Sequence, residues 1–206
     1  MREGDTVMKN ILTKNIVPKD LFSGMMNPVA VAYLIINHLK QLYRKGFLTE
    51  PRNISPDKCE SVADHCFGLI VLISLIMTAY KIALDWQKVM LMAIIHEFGE
   101  VYAGDMTPQD GMSKEEKSAL ERASVHQILD GFPGGAELIE IWEEYEAQLT
   151  PESRFVRQLD KLEMGLQSCI YHRQYGMPNE DFVKDVESSL SDPVLANIFR
   201  SVLHPA

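Results

Sequence analysis

The chain has 206 residues, 46% of them hydrophobic, with a formal net charge of −9 and a pI near 5.1. Such a composition can build a sizeable core and excludes a disordered chain. The acidity argues against long nucleic acid or an anionic membrane as partner, since both need a basic footprint, but leaves room for a small phosphorylated metabolite held by a few local cations. The cysteines Cys59, Cys66 and Cys169 lack Cys-x-x-Cys spacing, which fits a reducing cytosol. The opening MREGDTVMKN has no signal-type apolar core, and the longest apolar run, 66–80, is shorter than the ~20 residues a bilayer span needs. The expectation is a soluble cytoplasmic protein, with an arm or strap over 1–26 and a single helical domain over 27–206.

In chain order, Asn27 and Pro28 make an N-cap and first-turn pair, and Val29, Ala32, Tyr33, Ile36, Leu39 and Tyr43 recur at helical spacing. This predicts a helix to about Lys45, ended by Gly46. Residues 47–60 read as a loop with Pro51, Pro56 and Arg52. Ser61 and Asp64 match a capping box opening a buried helix to about Lys81, with His65 in its first turn. Asp85 can cap the next helix, predicted to run through His96 to Ala103 and stop at Gly104. Ser113 and Glu116 form a second capping box for a helix to about Asp130, and Gly131 through Gly135 make a turn. Residues 136–149 read as a helix with an acidic, solvated face and with Trp142 and Tyr145 inward. Thr150 and Pro151 start another helix, with Phe155, Val156, Leu159, Leu162 and Leu166 inward and Asp160 beside that stripe. One or two short helices follow the break at Gly176 and Pro178. No strand alternation, repeat or low-complexity tract is present, so the predicted class is all-α.

Residues 91–108 concentrate the chemistry. An apolar run, Leu91 to Ile95, ends in His96 and Glu97, and Glu100 and Asp105 follow. Ionisable groups at the end of a buried helix must be paired, metal-bound or catalytic, because an unpaired buried charge is very costly. No dinucleotide fingerprint, Walker loop or nucleophile elbow is present. His65, His96, Glu97 and Asp160, each on or beside an apolar helical face, form a mixed nitrogen and oxygen donor set suited to divalent Mn, Fe, Co, Ni or Zn. His38, His126, His172 and His204 fit no such constellation.

The order of these residues resembles a known family. Glu60-Ser-Val-Ala-Asp64 precedes His65, the pair His96-Glu97 leads to Glu100-Val-Tyr-Ala-Gly-Asp105-Met-Thr-Pro108, and Asp160 sits in Phe155-Val-Arg-Gln-Leu-Asp160-Lys-Leu-Glu-Met164. This is similar to the HD-domain metal-dependent phosphohydrolases, in the branch that contains the 5'-deoxynucleotidases, over residues 28–175. The resemblance implies an HD-domain-like helical bundle in which two His and two Asp hold a divalent ion. It places His65, His96 and Asp160 on the metal, with Glu97 at the position that is Asp in the family. It makes Glu100 the catalytic carboxylate that manages a proton of the attacking water, and Asp105 a contact of the substrate sugar. Arg44 and Phe47 loosely match the family's Arg-x-Gly-Trp, where the Arg meets phosphate and the aromatic lies near the base; Arg52 matches a following Arg. The implied activity is a phosphomonoesterase acting on nucleoside 5'-monophosphates or similar esters, and a homodimer is expected from the same resemblance.

Two other readings compete with this one. A catalytically idle HD-fold module could bind a nucleotide or a protein, with Glu97 an ordinary polar residue. A zincin-like reading of His96-Glu-x-x-Glu100 lacks the second His and leaves His65 and Asp160 unexplained.

Overall fold

The computed structural model describes residue 24 and residues 26–204. The expected arm over 1–26 therefore lies almost wholly outside the described residues. Helix α1 (Pro28–Ile36) starts as predicted, with Asn27 Oδ1 accepting the Val29 amide at 2.9 Å. It stops well short of Lys45. A 3₁₀ turn (Asn37–Lys40) follows, and then the chain extends so that Tyr43 bridges Ser61 antiparallel. The Val62 amide donates to Leu42 O at 2.8 Å and the Arg44 amide to Glu60 O at 3.1 Å. These long-range bonds override the local helical pattern. Gly46 consequently lies inside the short helix α2 (Lys45–Leu48) rather than ending a long one.

Helix α3 (Val62–Tyr80) opens on the complete Ser61/Asp64 capping box. It buries Leu69, Ile73, Ile76 and Met77, each contributing about 1.5–3 kcal/mol on full burial. Because it begins four residues before the apolar run, its 19 residues are long and apolar enough to cross a membrane by length and composition. Here, however, it packs against α4 (Trp86–Ile95) and buries His65 completely.

The helix predicted over 85–103 is interrupted after Ile95. Residues 96–99 keep right-handed helical geometry at His96 and Gly99, yet the amides of Phe98 and Glu100 bond three residues back, to Ile95 and Glu97. A one-turn helix α5 (Glu100–Ala103) follows. The tightening tracks a close contact: a Cβ on Gly99 would lie 2.6 Å from Cβ of Glu121 on α6 (Lys114–Leu129). Helix α7 (Gly135–Ala147) buries Trp142 and Tyr145 as expected.

Helix α8 (Pro151–Tyr175) is the centre of the assembly. It packs against α3, α4, α7, α9 (Glu180–Ser189) and α10 (Pro193–Leu203). The largest core cluster joins its Phe155, Val156, Leu159 and Leu162 to Leu69 and Ile73 of α3 and to Val89 and Met92 of α4. The result is the all-α bundle that the helical periodicities imply.

Candidate metal centre

Four side chains from three helical regions meet at one end of the core. His65 comes from the first turn of α3, His96 and Glu97 from the end of α4, and Asp160 from the middle of α8. Each offers a ligand atom, and these atoms all lie within 4.8 Å of one another. His65 Nε2 is 3.2 Å from Asp160 Oδ1, while Glu97 Oε1 lies 3.5 Å from His96 Nε2 and 3.8 Å from His65 Nε2. Bond lengths near 2.0–2.2 Å put neighbouring ligand atoms of one ion about 3 Å apart and opposite ones about 4.3 Å apart. The cluster needs a contraction of only about half an ångström to reach those spacings. The longer Glu97 side chain still brings an oxygen into the set.

The ring orientations suit an ion. His65 Nδ1 donates to Glu163 Oε2 at 2.5 Å, and His96 Nδ1 to the Ala93 carbonyl at 2.8 Å. Both Nε2 atoms face the cluster. His96 Nε2 is buried with no hydrogen-bond partner among the described residues. Two imidazole Nε2 atoms beside two carboxylates form a donor set suited to a divalent cation, with His65 giving up a proton when it ligates.

The groups around the cluster fix its shape. Trp142 Nε1 donates to the His96 carbonyl at 3.2 Å, satisfying the frayed end of α4. Tyr145 packs edge-on against the His96 ring, with centroids 5.4 Å apart, and donates its hydroxyl proton to Asp160 Oδ2 at 3.2 Å. Arg157 in turn donates to the Tyr145 oxygen at 2.9 Å. The sequence reading placed Tyr145 and Trp142 inward only as packing groups and missed these roles. It also missed Glu163, whose one signal was its place one helical turn after Asp160.

Charge is tuned locally. Burial opposes the charge on Asp160, but its contact with His65, the charge of His65 and that of His96 hold its carboxyl well below the usual range. Glu97 is likewise drawn down against burial by His96, Arg44 and His65. Burial pushes the His96 imidazolium down. For His65, burial and Arg44 act downward, yet hydrogen bonds to Asp160 and Glu163 raise its pKa to about 10.

Other sequence-derived candidates divide into two groups. Arg44 reaches the cluster: its Nη1 is 3.3 Å from Glu97 Oε1 and its Nε 3.8 Å from Glu60 Oε1. Glu100 is 2% exposed, and its Oε2 has no hydrogen-bond partner among the described residues. Burial, then Glu97 and Asp105, push its carboxyl well above the usual range. Asp105 accepts the Lys45 amide at 2.5 Å, capping α2 next to Arg44. Phe47 and Arg52, expected beside base and phosphate, make their contacts with Tyr171 and with Asp181 and Phe182 of α9. Phe47 is buried against Tyr171 and Phe182 with ring centroids 5.0 Å from each. Arg52 pairs with Asp181, donates to Gly46 O at 3.2 Å and stacks 4.4 Å over the Phe182 ring. Together they fasten the 47–60 loop to α9.

The chain belongs to the HD domain family, which it matches over residues 36–199. Among curated relatives it is 33% identical over 168 residues to the 5'-deoxynucleotidase HDDC2 of Mus musculus, covering 80% of this chain and 81% of that protein. It is 32% identical over 168 residues to the Homo sapiens protein of the same name, covering 80% and 79%. Among solved structures, the PH0347 protein of Pyrococcus horikoshii superposes with a TM-score of 0.68 at 25% identity, over 83% of this chain and 96% of that one.

Proposed function

We propose that this chain is a metal-dependent phosphohydrolase that cleaves the phosphomonoester of a nucleoside 5'-monophosphate or a similar small ester. The convergence of His65, His96, Glu97 and Asp160 beside buried Glu100 and Arg44 carries the reading. The curated relatives named 5'-deoxynucleotidase, matching four fifths of the chain, support the substrate class. His65, His96, Glu97 and Asp160 would hold a divalent Mn, Fe, Co, Ni or Zn ion, which when bound supplies water activation and charge compensation on phosphorus.

The remaining steps belong to side chains of this chain. The Arg44 guanidinium grips two phosphate oxygens, exchanging part of its contact with Glu97 for the substrate anion. Glu100, buried and with no partner for Oε2 among the described residues, moves the proton between the attacking water and the departing ester oxygen. Asp105, fixed against the Lys45 amide beside Arg44, would contact the substrate sugar. The Arg44, Glu97 and Asp160 side chains are only 12%, 14% and 13% exposed, so these charges act at a dielectric below that of bulk water.

The test is phosphate release from nucleoside 5'-monophosphates with each divalent ion, in wild type and His96→Ala. Ion-dependent release that vanishes in His96→Ala is expected. Release that persists in chelated, metal-free protein would overturn the reading. Nucleotide binding without turnover in ion-loaded protein would favour the idle binding module. The expected homodimer finds support in an exposed apolar stripe, Phe67, Val71 and Leu75, along one face of α3.

A further inference from the structure

We infer that Glu163 is the positioning residue of this site: it holds the proton on Nδ1 of His65 and so commits Nε2 to the ion, and Gly68 is the residue that makes room for it. The inference rests on the reading of the four-residue cluster as a metal site and goes beyond it.

Three geometric observations carry it. First, the Nδ1 to Oε2 distance of 2.5 Å lies between side chains that are 0% and 11% exposed, so little water competes for either. Second, Asp160 and Glu163 stand one helical turn apart on α8, with the His65 ring between them. One carboxylate faces Nε2 at 3.2 Å and the other faces Nδ1. Third, α3 has a gap where Glu163 lies. A Cβ on Gly68, one turn beyond His65, would fall 2.5 Å from Glu163 Oε1 and 3.3 Å from its Cδ. The backbone of α3 thus gives up a side chain where the Glu163 carboxylate must fit.

The two histidines are consequently unequal ligands. His96 donates to a neutral carbonyl, whereas His65 donates to a full carboxylate. A carboxylate on the far nitrogen fixes the tautomer and raises the basicity of the ligating nitrogen; losing such a partner typically costs 10–100-fold in metal affinity. Glu163 meets His65 at Nδ1, on the far side of the ring from the Nε2 that joins His96, Glu97 and Asp160, so toward that four-residue cluster it would act through His65.

The experiment measures Zn²⁺ and Mn²⁺ dissociation constants by chelator competition for wild type, Glu163→Gln, Glu163→Asp, Gly68→Ala and the Gly68→Ala/Glu163→Asp double variant. Nitrogen-15 NMR of the Zn²⁺-loaded imidazoles is recorded alongside. Glu163→Gln is expected to keep its helical content and lose 10–100-fold in affinity for both ions. Its His65 Nδ1–H resonance should move upfield as the strong acceptor is lost. Gly68→Ala should lose affinity by displacing Glu163, and shortening residue 163 to Asp in that background should recover part of the loss. Glu163→Gln with wild-type affinity and an unchanged Nδ1–H resonance would overturn the inference while leaving the metal site standing. Failure of wild type itself to bind either ion would overturn the metal reading and this inference with it.

Discussion

Arg44 Nη1 lies 3.3 Å from Glu97 Oε1, the same oxygen that approaches both histidines of the cluster. The guanidinium and the candidate ion therefore share one carboxylate oxygen. Shortening the side chain withdraws the carboxylate from Arg44 and frees the cation for phosphate. Glu97→Asp is expected to lower KM for a nucleoside monophosphate several-fold while ion affinity stays within tenfold. Steady-state kinetics with chelator-competition titrations check this. A raised KM with unchanged ion affinity would show that the pair with Glu97 aims Arg44 at the substrate.

Removing a nitrogen ligand has a different signature. His65→Ala takes away the fully buried member of the set. Purified His65→Ala is expected to carry under a tenth of the wild-type metal content, measured by elemental mass spectrometry, and to lose at least about 10³-fold in kcat, or about 4 kcal/mol of transition-state stabilisation.

Ion binding should be coupled to pH. Burial and Arg44 lower the His65 pKa, but Asp160 and Glu163 raise it to about 10, so near neutrality the metal-free ring is protonated and must lose a proton to ligate. Affinity is expected to rise about tenfold per pH unit between pH 6 and 8, with release of about one proton. Calorimetry in buffers of different ionisation enthalpy reads that number directly.

Glu121 offers a stability test outside the cluster. Burial raises its pKa to about 7, with Lys117 opposing and Glu97 assisting. A carboxyl raised from 4.5 penalises the fold above pH 7, and the penalty fades as pH falls through 7 towards 4.5, where the folded state takes up the proton. Glu121→Gln is thus expected to be more stable than wild type at pH 8, by on the order of 1–3 kcal/mol, with the difference vanishing near pH 5. Urea unfolding at the two pH values measures it.

The exposed stripe on α3 supplies the last expectation. Phe67 is 69% and Leu75 63% exposed, two turns apart on one face. If this face joins two copies, Leu75→Glu yields a monomer by light scattering with metal content unchanged. A wild type that is already monomeric excludes the homodimer.

The candidate cluster was legible in the sequence where chemistry and periodicity coincide. His65, His96, Glu97 and Asp160 each interrupt or border an apolar face, and their positions are set by α3, by the end of α4 and by α8. The pairing of Arg52 with Asp181 was not legible, because its partner is 129 residues away and no local pattern announces it. Glu163 was hidden for a related reason: its meaning depends on Gly68 across the α3–α8 contact. The break at 96–99 is a subtle one, with His96 and Gly99 still right-handed helical and a change from four-residue to three-residue hydrogen bonds marking it. The early end of α1 follows from pairing between residues 42–44 and 60–62, a nonlocal event that pulls Arg44 towards the cluster.

Helix α8 touches five other helices and carries both Asp160 and Glu163 at its centre. Its midsection cannot open to solvent without pulling the donor set apart. Amide hydrogen exchange there should therefore report ion occupancy from inside the core: at a hundredfold excess over the dissociation constant, binding slows exchange by roughly a hundredfold, equivalent to about 2.7 kcal/mol. The protein would then act as its own gauge of the metal it meets, with the slowest amides of one helix as the pointer.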